Sequence, residues 1–185
     1  MRGDLLILLS DGLAILCLAR FLLQWAGLDS RHPLAAFCRQ ITGWLVAPLA
    51  RLLPAGGNKE WACILAVFLL YYAVFTVMAL LALPGGFGTK IIAANLILAA
   101  LGLLKSAAYV LLIGLVMRTV SSFSNPYSPL AAALQRIFGP MLRPFTFLRA
   151  GRMDFSAALP ALVLWLWLAY FLPRLTVGLN LWLLR

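Results

Sequence analysis

Four stretches of this chain are apolar for long enough to cross a membrane, and that narrows the fold more than any other feature. They run over about Leu5–Trp25, Trp61–Leu83, Ile91–Met117 and Phe155–Leu172. At about 1.5 Å of rise per residue each approaches or exceeds the roughly 30 Å of a bilayer's hydrocarbon. Only a helix can satisfy its own backbone groups there, so each run predicts a transmembrane helix. The last is short and holds Pro160; the alternative is a start one turn later and a continuation past Pro173, with Arg174 snorkelling to the interface. Charged residues make up 11% of the chain, against about 25% in soluble domains, which leaves little material for a separate soluble domain. Met1-Arg2 before an apolar run imitates a secretion signal. Asp4 and Asp11 interrupt that run and no small-residue cleavage site follows, so it is read as the first span.

Between the second and third spans lies only Pro84-Gly-Gly-Phe-Gly-Thr-Lys90, a turn that forces an antiparallel return. The other two connections are longer and must face one side, because two spans separate them. They carry nine basic residues, Arg31, Arg39, Arg51, Lys59, Arg118, Arg136, Arg143, Arg149 and Arg152. The opposite side has Arg2, Lys90, Arg174 and Arg185. By the positive-inside rule the long connections are cytoplasmic, both termini are external, and the membrane is a bacterial inner membrane. The net charge of +10 is therefore read as topology and contact with anionic headgroups. Nucleic acid is not expected as a partner, since no basic helix or aromatic platform of a known reader is present.

The two halves of the chain repeat one another. Pro33, Leu34, Ala35, Ala36, Ile41, Gly43 and Pro48 recur 96 residues later as Pro129, Leu130, Ala131, Ala132, Ile137, Gly139 and Pro144. Further out the offset drifts, with Arg20 matching Arg118 and Glu60 matching Asp154. The expected organisation is two parallel units, residues 1–85 and 86–185, each running helix, long connection, helix. Within the connections Leu34, Phe37, Cys38, Ile41 and Leu45, then Leu130, Ala133, Leu134, Ile137 and Met141, recur at helical spacing with basic residues opposite. Such a stripe predicts an amphipathic helix in the membrane interface in each unit. A loop helix packed on the bundle, or a re-entrant hairpin near Gly43 or Gly139, are the alternatives.

An Arg ending the first helix, a downstream Pro, a Pro-rich basic stretch and an acidic residue opening the second helix form the repeated motif. Here it is Arg20, Pro33, Pro48, Arg51-Leu-Leu-Pro54 and Glu60, then Arg118, Ser128-Pro129, Pro140-Met-Leu-Arg-Pro144 and Asp154. The pattern resembles the YggT (YlmG) family of bacterial and plastid membrane proteins, in its two-repeat bacterial form. Unit two departs from it with Phe147-Leu148-Arg149-Ala150, and unit one with Asn58-Lys59-Glu60. The resemblance implies an accessory membrane protein, linked to ion or osmotic homeostasis, to nucleoid and division-site organisation, or in plastids to cytochrome maturation. It implies no reaction and no catalytic residue.

Ionisable groups within a span cost about 2.5–3.5 kcal/mol each on insertion scales, so Asp11 and Lys105 call for a reason. Measured from Arg20 and Arg118 as depth markers, they lie about 14 Å and 20 Å into the membrane. A pair joining the two halves would offset much of that cost. A charge in an ion or proton path and simple snorkelling are the competing readings. Gly102 and Ser106 are read as helix packing, and Trp165 and Trp167 as packed mid-bilayer. Arg39, Arg51, Arg136, Arg143 and Arg149 mean headgroup contact or a docking surface for a protein partner, with Arg51 and Arg143 the sharpest candidates. His32 is the only histidine and Cys17, Cys38 and Cys63 form no C-x-x-C pattern, so no cofactor or metal is expected. The function expected is a non-catalytic scaffold or accessory protein; ion transport or osmotic homeostasis is the alternative, and a haem-maturation accessory a more distant one.

Overall fold

Helices account for nearly all the described structure, residues 2–29, 32–52, 61–82, 89–124, 127–143, 149–150 and 153–184 of a computed structural model. They are α1 (Arg2–Trp25), α2 (Pro33–Leu52), α3 (Trp61–Ala82), α4 (Thr89–Ser124), α5 (Pro129–Leu142), α6 (Ala158–Leu166) and α7 (Leu172–Leu184). Four segments are long and apolar enough to cross a membrane: Leu5–Trp25, Trp61–Leu81, Lys90–Ser121 and Ala158–Gly178. The chain is thus a multi-pass membrane protein. Leu8 and Leu81 are 72% and 76% exposed, which hydrocarbon solvates and water would not.

The fourth segment departs from the expected 155–172. A single 3-10 turn at Phe155–Ala157 precedes α6, and the helix runs on past Pro173 to Leu184. Pro160 falls in the first turn, where its missing N–H would have had no helical partner. Ahead of Pro173 the residues Trp167–Phe171 widen into a π-helical turn, with the Leu172 N–H on the Trp167 carbonyl. The wider turn moves carbonyls away from the proline ring and lets the helix continue. Trp165 also differs from expectation: it is 56% exposed, whereas Trp167 packs against Ala108, Leu168 and Leu172. The all-α expectation needs one small amendment, an antiparallel pair β1 (Arg149–Ala150) and β2 (Met153–Asp154) in which Arg149 faces Asp154.

Small side chains set the main core. Ala14, Cys17, Ala62, Cys63, Ala66 and Val67 are buried where α1 meets α3, the residue sizes that let membrane helices approach closely. α4 lies against both. A second core joins Leu115 of α4, Leu134, Phe138 and Leu142 of α5, and Ala157.

Both long connections contain helices, and each begins at the proline the repeat predicts. Ser128 caps α5, its Oγ accepting from the Ala131 N–H at 3.1 Å, with Pro129 in the first turn. His32 occupies the corresponding place before α2, its Nδ1 accepting from the Leu34 N–H at 3.4 Å. The buried lines are Cys38–Thr42–Val46 and Leu134–Phe138–Leu142. Leu34, Phe37, Trp44 and Met141, partly members of the expected stripes, face outward. α1 ends at Gly27, whose φ of +74° suits a residue without Cβ. The Leu28 N–H reaches the Leu23 carbonyl at 3.0 Å and the Gly27 N–H the Gln24 carbonyl at 2.9 Å, a Schellman closure.

Candidate functional site

Polar side chains inside the spans converge on one cluster. Lys105 Nζ of α4 donates to Asp11 Oδ2 of α1 at 2.5 Å. The Tyr71 hydroxyl of α3 donates to Asp11 Oδ1 at 2.6 Å and stands 2.5 Å from Ser106 Oγ of α4. With the tyrosine proton committed to the carboxylate, the Ser106 hydroxyl donates to Tyr71 Oη. The result is one carboxylate with two strong donors, a matched charge, and no net charge across three helices. The Asp11 and Lys105 side chains are 18% and 29% exposed.

Helix geometry explains why these residues meet. Asp11 lies nine residues before Arg20 and Tyr71 ten after Trp61, so both sit about 14–15 Å from the same end of the bundle. Lys105 starts about four residues of rise further on, roughly 6 Å, which its flexible stem takes up. Gly102, one turn before Ser106, makes room for the Tyr71 ring: a Cβ there would lie 2.9 Å from ring carbons. Asn95 Nδ2 and Thr76 Oγ1, 3.4 Å apart, add a second polar link between α3 and α4.

At the other end of the bundle arginines dominate. Arg20 Nη1 donates to Thr42 Oγ1 at 3.2 Å, and Thr42, fully buried, donates to the Cys38 carbonyl at 2.7 Å. Arg136 Nη1 donates to the Ala26 carbonyl at 2.9 Å, fastening α5 to the C-terminal end of α1. Arg39, Arg51 and Arg143 are exposed. Arg118, Arg136, Arg143 and Ser156 border a pocket of about 410 Å³. An apolar cavity of about 310 Å³ lies among α1, α2, α4 and α5, walled by Ile15, Phe37, Ile113 and Leu134 among others. Among the described residues no group of His, Cys, Asp and Glu is placed to hold a metal ion.

The chain matches the CCB3/YggT family over residues 3–81. It is 30% identical over 154 residues to the uncharacterized protein YggT of Escherichia coli (strain K12), covering 80% of this chain and 77% of that one. It is also 30% identical over 137 residues to the uncharacterized protein in the proC 3' region of Vibrio alginolyticus, covering 74% and 73%. The chain belongs to the YggT family. No solved structure matches it significantly.

In this YggT-family chain the structure brings together Asp11 with Lys105, Arg20 with Thr42, and Arg118 with Arg136 and Arg143 around one pocket. Pro33, Gly43 and Pro48 lie within α2, and Pro129, Gly139 and Pro140 within α5. Glu60 and Pro144 lie outside the described residues, as do the side chains of Arg149 and Asp154. Sequence reasoning passed over Tyr71 and treated Ser106 as packing alone. A signal was available for the tyrosine: it stands mid-span, away from the interface where tyrosines gather, so its hydroxyl needs a buried partner.

Proposed function

We propose that this protein is a non-catalytic accessory or scaffold protein of the bacterial inner membrane, made of two duplicated units, that presents a basic cytoplasmic face to a protein partner. The observation that carries the reading is the partition of charge. The ionisable groups of α1 and α4 neutralise each other within the spans, while exposed arginines gather on α2 and α5. An ion path wants polar groups spread along a route; here they converge on a single neutral knot, which favours a joint over a conduit. Each half runs long helix, shorter helix, spanning segment, and the family match over 3–81 has the length of one unit, which supports the duplication. The exposed Phe37 and Trp44 beside Arg39 support α2 as an interfacial helix whose aromatic side meets lipid. The nine-to-four asymmetry of basic residues supports the cytoplasmic assignment of both connections.

Crosslinking and affinity capture from native membranes test the reading, with Arg51→Gln compared against Arg39→Gln at matched protein level. A docking face loses its captured partner sharply with Arg51→Gln and keeps it with Arg39→Gln. Small, equal and additive losses would make the arginines lipid anchors and overturn the scaffold assignment.

A further inference from the structure

The two units finish their first helix differently, and the difference leaves a basic pocket in the second. In the first, Arg20 is satisfied by buried Thr42. The residue 96 positions on from Thr42 is Phe138, which offers no acceptor and lies fully buried against α4. Arg118, the counterpart of Arg20, instead borders a pocket of about 410 Å³ with Gln135, Arg136, Arg143 and Ser156. At the offsets of 96 and 94, Arg143 and Ser156 correspond to Ala47 and Ala62, and Arg136 to Gln40. The guanidinium groups and the hydroxyl are therefore particular to unit two.

We infer that this pocket binds the phosphate of an anionic membrane phospholipid. Guanidinium forks match the oxygens of a phosphate in shape and charge. Three of them and a hydroxyl converge here, and no acidic side chain is among the described residues lining the pocket. Arg136 is held in place by the Ala26 carbonyl, which engages one of its five N–H donors and leaves the rest. Ser156 is 2% exposed and sits at the start of the last span, beside the first N–H groups of that helical segment. The phospholipid source follows from position. Arg118 lies seven residues before the end of α4 and Ser156 two before α6 begins, so the pocket opens at a span end, the level of headgroups. Basic pockets between transmembrane helices take such head groups.

The acid able to fill the pocket from within is Asp154, two residues before Ser156, and the test includes it. Native mass spectrometry of the full chain, released from detergent micelles doped with phosphatidylglycerol or phosphatidylcholine, reads retained lipid directly. The expected result is one retained phosphatidylglycerol and no retained phosphatidylcholine. Arg143→Gln lowers that retention roughly fivefold, Ser156→Ala lowers it less, Arg143→Lys restores part of it, and Arg39→Gln leaves it unchanged. Arg143 is exposed, so Arg143→Gln keeps its helical circular dichroism and melting point. Equal retention in wild type and Arg143→Gln would mean ordinary annular lipid and overturn the proposal. Inorganic phosphate displacing the lipid at equal concentration would assign the pocket to a free anion and overturn the lipid assignment. Retention that appears only in Asp154→Asn would show the pocket filled by the chain's own carboxylate, which also overturns it. Because Arg51 is no part of the pocket, failure here leaves the partner-capture test standing, and the reverse.

Discussion

Asp11 is the residue on which the most interactions depend. Losing one partner of a desolvated ion pair leaves the other charge exposed to hydrocarbon, at about 3–5 kcal/mol. Lys105→Ala should therefore lower membrane accumulation markedly, and adding Asp11→Ala should restore part of it; additive losses on quantitative blotting would refute the coupling. Tyr71→Phe removes one neutral hydrogen bond of the same cluster and should lower thermal stability in detergent by only about 1 kcal/mol. Cys38 offers a separate check outside the spans. Burial is the main influence raising its thiol pKa above the ordinary 9.0, with Arg20 acting in the opposite direction. Below pH 9.0 the thiol is neutral in the folded and unfolded chain alike. As pH rises through that value the unfolded chain ionises first, so stability declines toward alkaline pH. A pH series of melting points on Cys38→Ser and wild type should show the alkaline decline shallower in the variant, and maleimide should label Cys38 only after unfolding.

Among the helices, α5 is the one whose seat is narrowest. A Cβ on Gly114 would lie 2.6 Å from Phe138 Cζ, so Gly114→Ala should push α5 off α4. The cost is about 1–3 kcal/mol, relieved in part by Phe138→Leu and read as a shift in melting temperature. The four spans, the helices opening at Pro33 and Pro129, and the meeting of Asp11 with Lys105 were all accessible from the sequence, because hydropathy, proline placement and the cost of buried charge act locally or by depth. The outward rotation of Leu34 and Phe37 was not, since in a membrane an apolar side chain is equally at home against lipid or protein. Nor was the π-helical turn before Pro173, which depends on how a helix absorbs a proline rather than on the residues in the turn. Tyr71 was missed because an aromatic inside an apolar run reads as bulk until its hydroxyl is asked for a partner.

Over the whole molecule, both termini and the loop at Lys90 should report from outside the cytoplasm. Reporter fusions at Lys90 and at the C-terminus check this, and cytoplasmic signals at both would reverse the orientation. The knot that ties α1 to α4 also has a consequence in time. Its two charged members are separated by 94 residues of chain, which a ribosome takes roughly 5–20 s to make. For that interval the newborn first helix resides in the translocation machinery or the lipid with an aspartate whose counter-ion has not yet been synthesised. The carboxyl must wait as the neutral acid or beside water at the channel wall. Nascent chains halted before α4 should therefore release α1 from the bilayer under alkaline extraction, while chains halted after α4 should hold it, so the second half of the protein acts as the latch that makes insertion of the first half final.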